Sequence, residues 1–381
     1  MDSALQGRSV AFVVNSSEYF ISHRMAIGLR LLSAGYEVHV IAPDSCPGQL
    51  NGVGFHYHQI KMSRKGKNLL GELIAIHALH SLFTKIQPSI VHLVTIKPYL
   101  YGGIAARWAC VPAVVSAVAG LGILFSQDTF KSRLLRVLLY PFYRIAFGHP
   151  NQKVIFQNRD DMAFLQRFAG LTWPKSVLIR GAGVDLQQYP YKPEPTGVPV
   201  VSLASRLLKD KGVLEFVEAS RILKRRGVIA DFWLIGAPDF GNANTVPLTQ
   251  LEEWQQAGLV KCLGYRENIA YLFSLSHVVT LPSFYGEGLP KVLLEAAACG
   301  RAVVTTDHPG CRDAIKAGES GLLIPIKDSV ALADALEKLI GNPALRQQLG
   351  QAGRQLAEES FDIEKVIDAH IQIYRELLRN M

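Results

Sequence analysis

The chain has 381 residues, 49% of them hydrophobic, and carries a net charge of +8. This length is comfortable for two domains of ordinary size and large for one hydrophobic core. The five cysteines are isolated and no Asp-x-Asp occurs, so metal and redox motifs are excluded and nothing indicates a metal-held diphosphate.

The first elements of each half of the chain predict two α/β domains that start in the same way. The order strand, helix, strand is expected at residues 9–14, 22–32 and 37–42, and again at residues 198–204, 213–225 and 231–236. Each half therefore begins a doubly wound parallel sheet. Four prolines in residues 189–199 mark the expected linker, so we predict an amino-terminal domain of residues 1–190 and a carboxy-terminal domain of residues 191–360.

The loop after the first strand, residues 15–19, contains no glycine. A nicotinamide-dependent oxidoreductase would need a Gly-x-Gly-x-x-Gly turn at this point, so that class of enzyme is set aside. Residues 1–8 are polar and do not form a signal peptide, which predicts a cytoplasmic protein. Residues 108–127 are uncharged and long enough to be mistaken for a membrane span. The proline and glycines within them favour a buried strand followed by a loop.

The excess positive charge lies in the first half of the chain. Residues 1–190 carry 19 Lys and Arg against 9 Asp and Glu, whereas residues 191–381 carry 21 against 23. The basic residues form two clusters, at Lys61, Arg64, Lys65 and Lys67 and at Lys131, Arg133, Arg136 and Arg144. Large apolar residues interleave the second cluster, which is typical of a helix on an anionic membrane surface. A core-facing helix with solvated charges is the alternative. Nucleic acid is a poorer partner, because no nucleic-acid module accompanies the charge.

Two cations lie in the turn between the strand at 198–204 and the helix that follows it. In an open parallel sheet, ligands bind outside the carboxyl ends of the strands, where this turn is expected. Arg206 can hold phosphate oxygens in a bidentate way, and Lys211 adds a compact second charge. The alternative is that both side chains are simply solvated.

Two carboxylates flank the start of a second predicted helix, residues 290–299, which follows a short strand at 278–281. The amino terminus of a helix favours an anion such as a phosphate. Glu295, one turn into the helix, can accept hydrogen bonds from a vicinal diol such as a ribose. Glu287, before the helix, can reach hydroxyls of a group attached to the phosphate. The alternative is a solvated loop glutamate and a helix-surface glutamate.

Together these segments resemble the retaining glycosyltransferases of family 4. Residues 205–212 are similar to that family's Arg-x4-Lys-Gly turn, Glu287 and Glu295 to its Glu-x7-Glu signature, and residues 298–304 and 318–325 to the segments that follow. The resemblance covers nearly the whole chain, and residues 237–265 are most similar to bacterial members that build surface polysaccharides on lipid carriers. It implies the GT-B fold, an α/β architecture of two Rossmann-like doubly wound domains facing a central cleft. It also implies that a last helix, in residues 361–381, packs back on the first domain.

The resemblance also implies a role for each site residue. Arg206 and Lys211 would hold the donor diphosphate, Glu295 the ribose and Glu287 the donor sugar. Arg206, Lys211 and Glu287 are thus the expected catalytic residues. The remaining donor-site residues are Gly288 and Leu289, whose backbone would lie beside the phosphate and sugar, and the base-binding turn of Gly264, Tyr265 and Arg266. On the acceptor side the candidates are Ser16, Ser17, His23, Arg24 and Lys97.

One departure from the family concerns a loop histidine. Many members carry a His in a pattern like Thr-x-His-Gly, but residues 116–122 contain none, and Ala119 occupies the expected position. No catalytic His can therefore be carried over. His23 is the remaining His best placed for the cleft, and a helix-capping or surface role is the alternative for it.

The expected function is that of a retaining, metal-independent hexosyl- or N-acetylhexosaminyltransferase. It would move a sugar from a nucleotide diphosphate donor, expected to be UDP-linked, to a lipid-linked or membrane-presented glycan acceptor in bacterial polysaccharide or glycoconjugate synthesis. No cofactor or metal is expected, and the protein would lie on the inner face of the cell membrane, in contact with an anionic surface. The alternative is a non-catalytic nucleotide-sugar-binding or scaffold protein of the same fold.

Overall fold

A computed structural model of the chain describes residues 8–62, 69–122 and 130–380. The chain forms two compact units. The first unit contains the residues up to Ala182 together with those from Lys365 onward, and the second unit is Gly183–Glu364. The breaks thus follow residues 182 and 364, whereas the sequence places them after residues 190 and 360.

The first unit is built on a parallel seven-stranded sheet. Its strands are β1 (Ser9–Val13), β2 (Glu37–Ala42), β3 (His56–Gln59), β4 (Ile90–Val94), β5 (Ala113–Val118), β6 (Gln152–Phe156) and β7 (Ser176–Leu178). They lie in the order β3-β2-β1-β4-β5-β6-β7. The helices of this unit are α1 (Ser17–His23), α2 (Met25–Ser33), α3 (Leu69–Ile86), α4 (Gly103–Trp108), α5 (Phe130–Ala146) and α6 (Arg159–Ala169).

The second unit repeats this plan with six parallel strands. The strands are β8 (Val200–Ala204), β9 (Asp231–Ile235), β10 (Lys261–Gly264), β11 (Val278–Leu281), β12 (Ala302–Thr306) and β13 (Gly321–Ile324), in the order β10-β9-β8-β11-β12-β13. The helices are α7 (Val213–Arg225), α8 (Leu248–Gln256), α9 (Ile269–Ser274), α10 (Lys291–Ala298), α11 (Ser329–Ile340) and α12 (Pro343–Ser360), and α13 (Ile363–Arg379) follows. Every residue of β8, β11 and β12 is buried, as expected for parallel strands covered on both faces.

Strand order fixes where a ligand site is expected in each sheet. The chain leaves β1 toward β2 on one side, and β4 pairs on the other side; β8, between β9 and β11, has the same arrangement. Such a reversal opens a crevice outside the carboxyl ends of the two central strands. The doubly wound α/β prediction is confirmed in both units.

The last helix packs on the first unit. The Asn151 side-chain amide, which lies just before β6, donates to the carbonyl of Leu377 in α13 at 2.9 Å. The hydroxyl of Tyr374 in α13 is hydrogen-bonded to His92 of β4. The apolar face of α13 is buried, including Val366 and Ile373.

Three local predictions need correction. The expected helix at 22–32 is two helices, α1 and α2, because the backbone leaves helical geometry at Arg24, where φ is −133° and ψ is −13°. Residues 189–199 are not a free linker. They belong to the second unit and pack against its other residues. Glu194 pairs with Arg346 at 3.0 Å, and the Arg301 guanidinium donates to the Lys192 carbonyl. The run at 108–127 contains β5, and its residues 123–127 lie outside the described part of the chain. Among the described helices, none has both the length and the apolar character needed to cross a membrane.

Candidate functional site

The candidate site lies at the switch point of the second sheet. The 205–212 loop follows β8 and the 282–290 loop follows β11, and the Ser283 hydroxyl of the second loop donates to the Asp210 carbonyl of the first at 3.1 Å. Gly212 allows this close approach. Its φ is +77°, and a Cβ there would lie 2.2 Å from a carbonyl oxygen of the other loop. The two loops therefore form one hydrogen-bonded surface.

Lys211 and Glu287 form an ion pair on this surface. Both side chains are largely buried, with 14% and 13% of their surface exposed, and the Ser283 hydroxyl donates to the same Glu287 oxygen at 3.0 Å. The Lys211 ammonium lies 5.4 Å from the centre of the Tyr285 ring. The two charges are predicted to bind different parts of one ligand, and the structure brings them into direct contact. Breaking a pair this buried costs several kcal/mol, so each partner holds the other in place.

Arg206 is an exposed cation of the site. More than half of its side chain, 58%, is open to solvent, and its guanidinium donates to Asp239 at 2.7 Å. Asp239 lies in the loop after β9 and was not identified from the sequence, because a single acid in a polar loop carries no pattern. The 205–212 loop thus presents one largely buried cation, Lys211, and two exposed cations, Arg206 and Lys209.

Glu295 is buried, with 8% of its surface exposed, although sequence analysis gave a helix-surface position as the alternative. Its carboxylate accepts a hydrogen bond from the Tyr189 hydroxyl at 2.9 Å, and the Lys291 ammonium lies 3.5 Å away. Burial and then the Glu295 charge raise the pKa of Tyr189, so the hydroxyl stays protonated and acts as the donor. Tyr189 was missed because it lies 106 positions away, in the stretch interpreted as a linker.

The backbone at Gly288 and Leu289 is closely approached by the backbone at Gly310. A Cβ at Gly310, which has φ of +83°, would lie 2.5 Å from the Gly288 carbonyl oxygen. Leu289 is buried, and Pro290 at the N-cap of α10 supplies no side-chain cap to the first turn.

The predicted base-binding turn lies at the carboxyl end of β10, on the same edge of the sheet. Gly264 has φ of +69°, and its carbonyl accepts from the Gly236 amide at 2.8 Å. Tyr265 and Arg266 are exposed.

The cysteine thiol close to the ion pair is not in the form of a nucleophile. The Cys311 thiol is fully buried close to Glu287, and burial raises its pKa to about 12, so it is not a thiolate at neutral pH. Within the described residues, no group of three or more His, Cys, Asp or Glu side chains is arranged to hold a metal ion.

The candidates in the first unit are mostly engaged in its own fold. The Ser16 hydroxyl caps α1 by accepting from the Tyr19 amide at 3.2 Å, and the Ser17 amide and hydroxyl donate to Asp44. Arg24 is 1% exposed, which removes it from the side chains that a ligand can reach. The two remaining candidates are also partnered, because His23 stacks on Tyr19 at 4.2 Å and Lys97 pairs with Glu72 at 2.8 Å.

Of the two basic clusters, only part falls in the described residues. Lys61 is exposed, whereas Arg64, Lys65, Lys67 and the Lys131 side chain lie outside the described part. On α5, Arg136 stacks over Phe164 and Arg144 donates to the Ala169 carbonyl. The same helix exposes eight large apolar side chains: Phe130, Leu134, Leu135, Val137, Leu138, Tyr140, Phe142 and Ile145. The opposite side of the helix packs in the core of the first unit through Tyr143 and Ala146, so α5 faces the core on one side and exposes apolar residues on the other.

Known families match both units. Residues 9–158 match the family described as glycosyl transferase 4-like, and residues 189–356 match glycosyl transferases group 1. The chain is 28% identical, over 98% of its length and all of the other protein's, to the Campylobacter jejuni N,N'-diacetylbacillosaminyl-diphospho-undecaprenol α-1,3-N-acetylgalactosaminyltransferase. It is 24% identical, over 82% of each chain, to the Escherichia coli UDP-Gal:α-D-GlcNAc-diphosphoundecaprenol α-1,3-galactosyltransferase. It is 32% identical to the putative glycosyltransferase EpsD of Bacillus subtilis, over 71% of this chain and 74% of that protein.

The fold matches solved structures over the full chain. Sucrose-phosphate synthase from Thermosynechococcus elongatus superposes with a TM-score of 0.81 at 19% identity, covering 98% of this chain and all of that one. At this level of identity the similarity establishes the fold alone.

Proposed function

This chain belongs to the retaining glycosyltransferases of family 4, with the GT-B fold, and from that premise we propose which sugar transfer it performs. The donor is a UDP-linked hexose or N-acetylhexosamine, and the acceptor is a glycan carried on a lipid diphosphate. The Campylobacter and E. coli relatives are named for diphospho-undecaprenol acceptors, and the E. coli relative for a UDP-linked donor, which supports this assignment. The product would contribute to a bacterial surface polysaccharide or glycoconjugate.

The buried Lys211–Glu287 pair is the observation that carries the proposal. In the transition state of sugar transfer, negative charge grows on the leaving diphosphate and positive charge on the sugar. Lys211 and Arg206 supply cations for the diphosphate, and the carboxylate of Glu287 lies beside Lys211 for the sugar. Groups held in place before the reaction stabilise that charge without reorganising, and they lower the barrier because they act more strongly on the transition state than on the substrate.

Attack from the front face is the mechanism that we propose. The acceptor hydroxyl attacks the sugar on the side from which the diphosphate departs, and a diphosphate oxygen takes the hydroxyl proton. This route needs neither a histidine at Ala119 nor a covalent nucleophile, and it retains the configuration of the sugar. It requires the donor diphosphate to be held firmly, which is the role assigned to the two cations and to the start of α10.

The membrane is the proposed location of the acceptor. The exposed apolar side chains of α5 form a continuous face on one helix, and Arg133 is exposed on the same helix. A helix of this kind lies in the interface of a bilayer with its apolar face inserted. We therefore place the protein on the inner, anionic face of the cell membrane, where a lipid-linked acceptor would be presented.

The test is a transfer assay with a matched donor panel. Purified protein is incubated with UDP-, GDP- and dTDP-sugars and with a synthetic polyprenyl-diphosphate-linked monosaccharide, and the product is identified by mass spectrometry and its anomeric configuration by NMR. An α-linked product from a UDP-sugar supports the proposal, and transfer should persist in a chelator. Binding of UDP-sugars without any product in a single turnover would instead favour the non-catalytic alternative.

A further inference from the structure

The loop after β9, residues 237–246, is joined to the 205–212 loop along its length. The Leu207 amide donates to the Ala237 carbonyl at 3.0 Å, the Val246 amide donates to the Leu207 carbonyl at 2.9 Å, and Leu208 and Thr245 form an antiparallel bridge. The two segments therefore act as a short two-stranded ribbon. Any side chain fixed on the 237–246 loop is fixed relative to the cations of the candidate site.

Asp239 is such a side chain. Its amide donates to the Thr245 hydroxyl at 2.9 Å, and its carbonyl accepts from the Asn242 amide at 2.9 Å. The same loop reaches the base of the 205–212 loop, where the Asn244 amide group donates to the buried Asp210 carboxylate at 3.1 Å. These hydrogen bonds fix the main chain of Asp239, and with it the point from which the carboxylate reaches Arg206, without help from a ligand.

The partner of Asp239 is the exposed side chain of Arg206. Arg206 offers five N–H donors in a rigid fork, and the contact with Asp239 uses one nitrogen, Nη1, at 2.7 Å. A long side chain that is mostly in solvent otherwise samples many rotamers, and ordering it on binding opposes affinity. A carboxylate that accepts from one end of the guanidinium selects one orientation and leaves the remaining donors for an anion.

We propose that Asp239 is a positioning residue that orders Arg206 for the donor diphosphate. The inference rests on the proposed function, because it takes the diphosphate to be the ligand of Arg206. Asp239 adds negative charge beside an anionic ligand, so it would weaken binding if charge alone mattered. The proposal is that orientation outweighs this repulsion, which is screened at a site open to water.

The first experiment measures UDP affinity by calorimetry for the wild type and for Asp239→Ala. We expect affinity to fall roughly fivefold to tenfold, and transfer efficiency with the UDP-sugar to fall by a similar factor. Asp239→Asn, which keeps an oxygen acceptor, should recover part of the loss. The matched control is Asp334→Ala, because Asp334 of α11 pairs at the same 2.7 Å with Arg226, the residue that follows α7, outside the candidate site. UDP affinity of that variant should not change.

A double-mutant cycle separates positioning from a general loosening of the loop. If Asp239 acts through Arg206, removing it in an Arg206→Ala background should cause no further loss of UDP affinity. Thr245→Val, which removes the acceptor of the Asp239 amide, should give a smaller loss that is not additive with Asp239→Ala. Tighter UDP binding by Asp239→Ala, or equal losses in both backgrounds, would overturn the inference. A wild type that binds no nucleoside diphosphate would reject the proposed function instead.

Discussion

The carboxyl edges of the two sheets use polar side chains in opposite ways. In the second unit they form ion pairs on neighbouring loops, as Lys211 does with Glu287 and Arg206 with Asp239. In the first unit they hold the fold itself, as Ser17 does by donating to Asp44 at the start of α1. The two units, whose sheets are built on the same plan, therefore differ in the side chains that they present. The second unit carries preorganised charge, and the distinctive accessible feature of the first is the apolar face of α5.

This difference predicts which measurements each unit should affect. Changes in the second unit should alter donor binding and transfer without altering membrane association. Changes in the first unit should alter membrane association or stability and leave the affinity for a free nucleotide as it was.

The largest effect is expected from Lys211→Ala. Removing one preorganised group that faces developing charge typically lowers kcat by about 10²-fold or more, and here the buried Glu287 also loses its partner. Transfer from the UDP-sugar is measured under saturating donor. The control is Lys209→Ala, an exposed lysine in the same loop, which should retain activity. If both variants transfer equally well, the diphosphate is held some other way.

The next effect concerns the first unit and its α5 helix. Replacing Leu134, Val137 and Leu138 together by serine should weaken binding to anionic vesicles at least tenfold, since each partly inserted apolar side chain contributes about 1 kcal/mol. Cosedimentation measures it. High salt should weaken wild-type binding less than these substitutions do, because two of the helix arginines have intramolecular contacts.

The control for the α5 variant is Ile229→Ser, an exposed apolar residue of the second unit. UDP affinity should remain unchanged in both variants. Wild-type protein that ignores anionic vesicles at low salt would refute the membrane assignment, and a loss of UDP binding in the α5 variant would blur the division between units.

A smaller effect separates the two glutamates of the second unit. Glu295→Ala should weaken UDP binding roughly tenfold, because the carboxylate is proposed to hold the ribose in the ground state as well as in the transition state. Tyr189→Phe, which removes the hydroxyl on that carboxylate, should weaken it a fewfold. Glu287→Gln, which keeps an acceptor oxygen for the Lys211 ammonium, should leave UDP affinity nearly intact while lowering transfer. Equal losses of binding in the two glutamate variants would reject this division of roles.

The strands of the second unit and the charged residues that follow them could be predicted because both leave a local signal in the sequence. Continuous apolar runs mark β8 and β11 as buried parallel strands, and the residues that follow such strands lie on the ligand edge. The fold class and the family prediction are confirmed on this basis. The four charged residues in the Arg-x4-Lys and Glu-x7-Glu patterns lie on the two loops of the switch point and on the helix that follows.

The partners of these residues could not be predicted. Asp239 lies 33 positions from Arg206 in a loop without periodicity, and Tyr189 lies in a proline-rich stretch that has the composition of a linker. The break at Arg24 was also invisible, since apolar spacing continues from α1 into α2. Which face of α5 is covered depends on the rest of the first unit, so the sequence left both interpretations open.

The smallest effect expected is a pH dependence of the first unit's stability. His370 of α13 lies beneath the sheet near His92 and the buried Arg24, and burial, reinforced by the Arg24 charge, lowers the pKa of His370 to about 3 and lowers that of His92 as well. Tyr374, which is hydrogen-bonded to His92, has its pKa raised by burial and stays neutral. In the unfolded chain an imidazole titrates near 6.5. Below that pH the unfolded state binds protons that the folded state does not. The free energy of unfolding is therefore at its full value above pH 6.5 and decreases as the pH falls toward 3. We expect a loss of roughly 1 kcal/mol per histidine between pH 6.5 and 5.5.

Hydrogen exchange of peptides from α13 measures this loss locally. His370→Gln should reduce the pH slope there, and His77→Gln, at an exposed position of α3, should not. A slope that stays the same in His370→Gln would show that other groups carry the dependence, and a matching change of exchange around the 205–212 loop would contradict the independence of the two units.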